Sequence, residues 1–349
     1  MDFLEYKVKF VKKALEAGYS EVEIDQYLTY AKVLLDKKLP LIYNTSHLAA
    51  LTGYSTRYIT RAALYPKSFY RTFKIKKKNG KMREINEPLP SLKEIQLWIN
   101  KNILLNIKPN KFAKAYIKKT NILDNVKYHK RKKYVFNLDL VNFFPSISTK
   151  TVEMFFKKLG YSDNLSNLLA KLCCFGDGLA QGAPTSPALS NHILYEFDDL
   201  LGSFAVENNL RYTRYADDLT FSFNDEFDVS IIEEKVINTL DKTVLYSKLT
   251  VNREKTKLLR QNDRQIVTGV VVNDKTQVPS SYRKQIRQEI YYIRKFGLSN
   301  HLNRLNEVRY NYLYHLLGKI NFVLLVNSED KEMKEYRNAI KMLISNRPT

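Results

Sequence analysis

Two adjacent carboxylates, Asp217 and Asp218, sit at the centre of Arg211-Tyr212-Thr213-Arg214-Tyr215-Ala216-Asp217-Asp218-Leu219-Thr220-Phe221-Ser222-Phe223. Aromatic and β-branched residues alternate on either side, which predicts two short strands with Ala216-Asp217-Asp218 as the turn. Aspartates are ordinary turn residues, because their side chains bond readily to nearby backbone. A third carboxylate gives the pair another meaning. Asp139 ends the strand-like run Lys133-Tyr134-Val135-Phe136-Asn137-Leu138-Asp139, where burial is costly unless the charge meets a cation or a donor. Neighbouring strands would set Asp139 and Asp217 face to face. Hard oxygen ligands select Mg²⁺, and two such ions about 3.5–4 Å apart clamp the attacking and leaving oxygens of an in-line phosphoryl transfer. Asp139, Asp217 and Asp218 are therefore the expected ligands of two Mg²⁺ ions, and nucleotidyl transfer is the expected reaction class.

The elements that would position these acids can be read from periodicity. The Asp139 strand is followed by a helix from Thr151 to Cys174, a loop reaching Gln181-Gly182, and a helix opened by Ser186-Pro187. After the Asp217 hairpin come a helix from Ile231 to Leu245 and a segment from Val251 to Leu259 that rejoins the sheet. Strand, helix, hairpin, helix, strand is a split βαβ order. Upstream, Arg71 to Asn86 reads as a basic hairpin around Lys78-Asn79-Gly80, either aiming its tip lysines at phosphates or protecting an exposed edge. A helix between Ser91 and Asn106 buries Leu92, Ile95, Trp98, Ile99 and Ile103.

Residues 1 to about 64 read as helices, interrupted at Gly18. Ser46 to Thr60, with Gly53 at its turn, resembles a helix-turn-helix, which serves equally as a packed N-terminal extension. At the other end, Ser281 is placed to cap a helix in which Tyr282, Ile286, Ile290 and Ile293 share one face, and Gly297 ends it. Arg283, Arg287 and Arg294 share another face, suited to gripping a duplex backbone or to plain solvation. A strongly apolar helix from Leu313 to Val326 completes a helical C-terminal region.

With 349 residues and a formal net charge of +21, the chain can bury a large core and calls for a polyanionic partner. Its 24 Tyr and 18 Phe are interleaved with the cations, which suits base stacking beside phosphate contacts. Lys118, Lys119, Lys130 and Arg131 lie in a basic stretch just before the Asp139 strand, and backbone contact with nucleic acid is their functional reading. The only cysteines, Cys173 and Cys174, are adjacent in an apolar segment and read as core residues in a reducing compartment. The five histidines have no zinc spacing. The charged start is neither a signal nor a transit sequence, and no apolar run spans a bilayer, so a cytoplasmic location away from membranes is expected.

Four segments carry a family resemblance. Leu138-Asp139 through Phe143-Phe144-Pro145-Ser146-Ile147, Gln181-Gly182-Ala183-Pro184-Thr185-Ser186-Pro187, Tyr215-Ala216-Asp217-Asp218 and Glu254-Lys255-Thr256-Lys257 resemble motifs A, B, C and D of reverse transcriptases, in the family's order. Asn125-Val126-Lys127-Tyr128-His129 is similar to the retron Asn-Ala-x-x-His signature, and Val267-Thr268-Gly269 to the retron Val-Thr-Gly signature. Val126 stands where alanine is usual. The resemblance covers roughly residues 65 to 325.

It implies an α+β right-hand polymerase, with an N-terminal helical extension (1–64), fingers (65–133), a palm carrying the motifs (134–279) and a helical thumb or RNA-binding C-terminal region (280–349). It further implies that the Leu140 carbonyl is an additional metal ligand and that Arg83, Gln181 and Gly182 contact the incoming nucleotide. Phe144, five residues beyond Asp139, would be a steric gate favouring deoxynucleoside triphosphates. Lys255 would protonate or neutralise the departing pyrophosphate, with Lys257 as its nearest competitor. A retron enzyme would copy a cognate structured non-coding RNA into RNA-linked single-stranded DNA, primed from a guanosine 2′-OH, in antiphage defence alongside an effector protein. The alternatives are a defence-associated or group II intron-like reverse transcriptase without the branched primer, and, from another class, a non-catalytic RNA-binding or helix-turn-helix regulatory protein.

Overall fold

The structure is a computed structural model that describes residues 2–76, 80–305 and 311–345. It begins with α1 (Phe3–Glu16), α2 (Glu21–Asp36), α3 (Thr45–Thr52) and α4 (Thr56–Leu64). Asp2, Ser20, Asn44 and Ser55 each accept a backbone N–H at the start of their helix, satisfying donors the first turn leaves free. The helix-turn-helix-like pair α3 and α4 packs inward, with Leu48, Ala49, Ile59, Ala62 and Ala63 in the main core.

β1 (Tyr70–Lys76) and β2 (Met82–Pro88) form the basic hairpin. Its tip residues Lys77, Lys78 and Asn79, on which the expected phosphate contact falls, lie outside the described residues. α5 (Pro90–Asn102) gives way to a 3₁₀ turn at Leu104–Asn106, earlier than apolar spacing suggests. The basic stretch that follows holds only one short helix, α6 (Ile122–Val126).

β3 (Tyr134–Asp139) leads into α7 (Phe143–Ser146), α8 (Thr149–Leu159) and α9 (Asp163–Cys173). The single helix expected from Thr151 to Cys174 is thus two. Gly160 ends α8 at φ +112°, and a Cβ there would stand 2.5 Å from Val33 Cγ1 on α2. The helix breaks where α2 comes too close for a side chain.

β4 (Cys174–Phe175) and β5 (Gly178–Leu179) make a two-residue ladder before α10 (Ser186–Ile193) and α11 (Tyr195–Glu207). β6 (Arg211–Tyr215) and β7 (Asp218–Phe223) are the expected hairpin, followed by α12 (Val229–Thr243) and β8 (Lys257–Arg260). These strands form one antiparallel sheet in the order β6-β7-β3-β8, the arrangement a split βαβ order requires. Phe136, Leu138, Tyr212, Leu219 and Phe221 face the main core. Side chains alternate along a strand, so Asn137, Asp139, Asp218, Thr220 and Ser222 share the opposite face.

β9 (Ile266–Val267) and β10 (Val270–Val271) form a tight ladder ahead of α13 (Ser280–Phe296), α14 (Leu298–Arg304), α15 (Tyr312–Val326) and α16 (Lys331–Ser345). A second core joins Val126, Val135, Val267 and Val270 to Ile286, Ile290 and Leu316. Ser281 does not cap α13, which begins one residue earlier behind Pro279. The arginine face, expected either to grip a duplex backbone or to be solvated, carries ion pairs. Arg283 meets Asp330 at 2.8 Å and Glu332 at 3.1 Å, Arg287 meets Glu332 at 2.6 Å, and Arg294 meets Glu335 at 2.8 Å. Periodicity set these arginines on one face, but α16, which it did not reveal, supplies that face with acids. Among the described residues no helix is long and apolar enough to cross a membrane, and Cys173 and Cys174 are free and buried.

Candidate active site

Register across β3 and β7 decides how the acids meet. Asp139 pairs directly with Asp218, not with Asp217, and cross-strand partners lie about 5 Å apart at Cβ. Tyr215 pairs with Asp218, so the hairpin turn is Ala216-Asp217 and Asp218 is already strand. The expectation that Asp139 and Asp217 oppose each other is off by one residue, because a two-residue loop is tighter than the three-residue turn read from the sequence. Asp217 is held close all the same: its carbonyl accepts the Leu140 N–H at 3.0 Å.

The turn is under strain and is braced from below. Ala216 has φ +60°, a left-handed conformation unfavourable for a residue with a Cβ. Its carbonyl accepts Nη1–H of Arg214 at 3.2 Å. Arg214 is fully buried and bonds Asp198 on α11 through Nε at 2.8 Å and Nη2 at 2.6 Å, while the Tyr212 hydroxyl donates to the same carboxylate at 2.9 Å. Buried charges persist only when paired this completely. Sequence reading missed this clamp, whose one visible signal was an arginine inside a strand otherwise rich in apolar and aromatic residues.

Electrostatics at the sheet end are unbalanced. Burial, then the charge of Asp139, raises the Asp217 pKa above the ordinary carboxylate value. Asp218 is pushed up to about 7, by burial first and then by Asp217 and Asp139. Negative charge is therefore disfavoured here unless a cation is supplied. Lys255 supplies one: its Nζ lies 2.8 and 2.9 Å from the two Asp139 oxygens, and Asp139 raises its pKa. Asn252, which sequence reading also missed, donates its backbone N–H to the Asp139 carbonyl at 2.7 Å. Among the described residues, no three or more His, Cys, Asp or Glu side chains are grouped so that they could hold a metal ion.

The other expected site residues are disposed around this end of the sheet. Phe143 is core at 6 % exposure and Phe144 is half-buried. Arg83 is exposed on β2, and its charge is felt by Asp217. The Gln181 carbonyl accepts the Asn86 N–H of β2 at 2.9 Å. A Cβ on Gly182 would stand 2.8 Å from the Asn86 carbonyl oxygen, so this glycine admits the hairpin's own backbone. Lys257 lies farther along, at the start of β8 opposite Asn137. Lys118, Lys119 and Lys130 are exposed, whereas Arg131 is exposed but donates through Nε to the Asp274 carbonyl at 3.1 Å.

Tyr116 is a further residue that sequence reading passed over. Its ring centroid is 6.1 Å from that of Phe144, it is 47 % exposed, and its backbone is left-handed at φ +63°. Burial and then the nearby Asp217 charge raise its pKa. No periodicity marks such a residue, since it sits in irregular chain.

Comparison with known proteins agrees with this geometry. Residues 75–288 match the family described as reverse transcriptase (RNA-dependent DNA polymerase). The retron Ec86 reverse transcriptase of Escherichia coli is 31% identical over 298 residues, covering 83% of this chain and 87% of that protein. The retron Ec83 reverse transcriptase of the same organism is 34% identical over 265 residues, covering 70% and 84%. The retron Mx65 reverse transcriptase of Myxococcus xanthus is 29% identical over 316 residues, covering 84% and 71%. Taken with the paired acids at the end of a four-stranded antiparallel sheet, these matches establish that the chain belongs to the retron-type reverse transcriptases, right-hand polymerases that make DNA on an RNA template.

Proposed function

We propose that this enzyme copies a cognate structured non-coding RNA into single-stranded DNA that stays linked to the RNA, priming from a 2′-OH. The observation that carries the chemistry is the direct pairing of Asp139 with Asp218, with Asp217 in the adjoining turn. Reverse transcriptases generally use divalent metal ions. The donor set suits hard cations: the charge of Asp139 bears on Asp217, those of both bear on Asp218, and Asp217 and Asp218 have raised pKa values, so a divalent ion would relieve their repulsion. Asp139, Asp217 and Asp218 would hold two Mg²⁺ ions, with the Leu140 carbonyl as a further ligand. When bound, such ions activate the attacking hydroxyl and offset charge on the leaving pyrophosphate.

The chain's own residues do the rest. Lys255, 61% exposed on its side chain, is placed to leave Asp139 and meet the triphosphate once a divalent ion neutralises that buried carboxylate. Arg83 approaches the same phosphates from β2, with Gln181 and Gly182 seating the hairpin beside the nucleotide. Phe144 lies beneath the sugar and clashes with a ribose 2′-OH. Lys118, Lys119 and Lys130 follow the nucleic-acid backbone. The domain division read from the sequence into extension, fingers, palm and thumb, and a role in antiphage defence with an effector protein, belong to the same reading.

Primer extension on an RNA template with Mg²⁺ and deoxynucleotides tests the chemistry: wild type should synthesise DNA and Asp217→Asn should not. Equal or absent synthesis in both would sink it. Sequencing nucleic acid that co-purifies with the protein tests the retron product, which should include covalently joined RNA and DNA from one locus; recovery of unlinked, heterogeneous RNA alone would count against it.

A further inference from the structure

Two stretches that mark the retron type, Asn125 to His129 and Val267 to Gly269, are 138 residues apart by number and have no role in the chemistry above. In the folded chain they meet. Both lie against the sheet face that carries Asp139 and Asp218. His129 is completely buried, with Nδ1 2.8 Å from Ser222 Oγ on β7 and Nε2 2.7 Å from Thr213 Oγ1 on β6. Thr213 Oγ1 donates to Asn125 Oδ1 at 2.6 Å, and Asn125 Nδ2 lies 3.4 Å from Thr268 Oγ1.

The chain of bonds has one direction. Thr213 has a single proton and gives it to Asn125, so His129 must donate to Thr213 from Nε2–H. Nδ1 is then an acceptor, filled by the Ser222 hydroxyl. Each of these groups has a partner, and none carries charge, which is the condition for burying polar atoms cheaply. A second rung lies nearer the acids: Thr220 donates to Asn137 at 3.2 Å, and Asn137 donates to the Ile266 carbonyl at 3.0 Å. Asn137 and Thr220 pair across the strands two residues behind Asp139 and Asp218.

Apolar packing reinforces the junction. Val126, the departure from the signature's alanine, is fully buried in the second core with Val267 and Val270. Its extra methyl groups fill that core at the junction.

Resting on the reverse-transcriptase reading, we propose that Asn125, His129, Thr213, Ser222 and Thr268 are positioning residues. They form an uncharged bridge, buried at Asn125, His129, Thr213 and Ser222 and partly buried at Thr268, that locks the β6–β7 hairpin, and with it Asp217 and Asp218, to the base of the C-terminal helical region. The two signatures are then halves of one device that registers the active site against that region. None of the five touches substrate; they act through the hairpin's placement.

The test compares Thr213→Val, which keeps the shape and removes the shared hydroxyl, with Thr213→Ser, which keeps the hydroxyl. Single-nucleotide incorporation is measured on full-length protein at a temperature where circular dichroism shows every variant folded. In Thr213→Val, kcat should fall about tenfold, since small misplacements of reacting groups carry penalties of this order, while KM for deoxynucleotide changes less than about twofold. Thr213→Ser should restore kcat. A folded Thr213→Val with wild-type kcat, or a loss that serine does not repair, overturns the inference. Ser222→Ala cuts the other end of the bridge and decides the matter if Thr213→Val does not fold: a lowered kcat supports the bridge and an unchanged one overturns it. Inactive wild type would instead defeat the underlying reading.

Discussion

Lys255 Nζ contacts both carboxylate oxygens of Asp139, at 2.8 and 2.9 Å. The ammonium thus stands at the acid expected to hold a metal ion, and its exposed stem lets it move. Lys255→Met should lower kcat by roughly ten- to a hundredfold through loss of charge and proton supply at the leaving group. Stability should fall by about 1–3 kcal/mol, because Asp139 is buried and would lose its cation, although the lysine end of the pair is exposed. Single-turnover incorporation and thermal melting check the two halves; a large stability loss with unaltered kcat would make Lys255 merely structural.

The crowding of Asp139, Asp217 and Asp218 carries a stability cost in metal-free protein. Asp218→Asn removes one charge from the group and should stabilise the fold by about 1–2 kcal/mol, a discounted value for a partly exposed carboxyl. Mg²⁺ should raise the melting temperature of wild type and do so less for Asp218→Asn. Calorimetry with and without chelator measures both, and identical metal responses would remove Asp218 from the ligand set.

His129 makes acid a specific stress. Burial, with the charges of Lys132 and Lys114, lowers its pKa to about 3, whereas the unfolded ring titrates near 6.5. Between these values the unfolded chain takes up a proton that the folded chain refuses. The stability carried by neutral His129 is therefore complete above about pH 6.5 and declines by roughly 1 kcal/mol for each pH unit on the way towards pH 3. Urea unfolding at pH 7, 6 and 5 should show that slope reduced in His129→Asn. Equal slopes in both proteins would contradict the buried, neutral assignment.

Phe144 and Tyr116 face one another beside the acids, with ring centroids 6.1 Å apart. Phe144→Ala should raise ribonucleotide incorporation relative to deoxynucleotide by an order of ten or more, about the value of steric discrimination at a pocket wall. Competition between the two sugars measures it. Unchanged selectivity would show that Phe144 packs without gating.

Asp198 should be intolerant of change. Asp198→Ala leaves Arg214 charged and unpaired at full burial and should cost about 3–5 kcal/mol, read as loss of the cooperative melting transition. Replacement without such a loss would mean that the strained Ala216 turn does not depend on the clamp.

Much of this architecture was legible because the signals are local. Alternation marked β3, β6 and β7, helical spacing marked α13 and α15, and four motifs in a characteristic order pointed to the family. The acids Asp139, Asp217 and Asp218 could be picked out by type and context alone. What escaped were relations between segments. Arg283, Arg287 and Arg294 form a row by periodicity, yet only α16 reveals that Glu332 and Glu335 cover it. The break at Gly160 depends on the approach of Val33 from another helix.

Residue types and their order determined the family of this protein and which groups are proposed for catalysis, because carboxylates, an aromatic and a lysine at motif spacing carry their chemistry with them. Tertiary structure alone decided that Asp218 opposes Asp139, that Lys255 neutralises that acid, and that Asn125 and His129 reach Thr213, Ser222 and Thr268. Register and burial are set by packing across distant segments, and a slip of one residue on a strand turns every side chain to the other face.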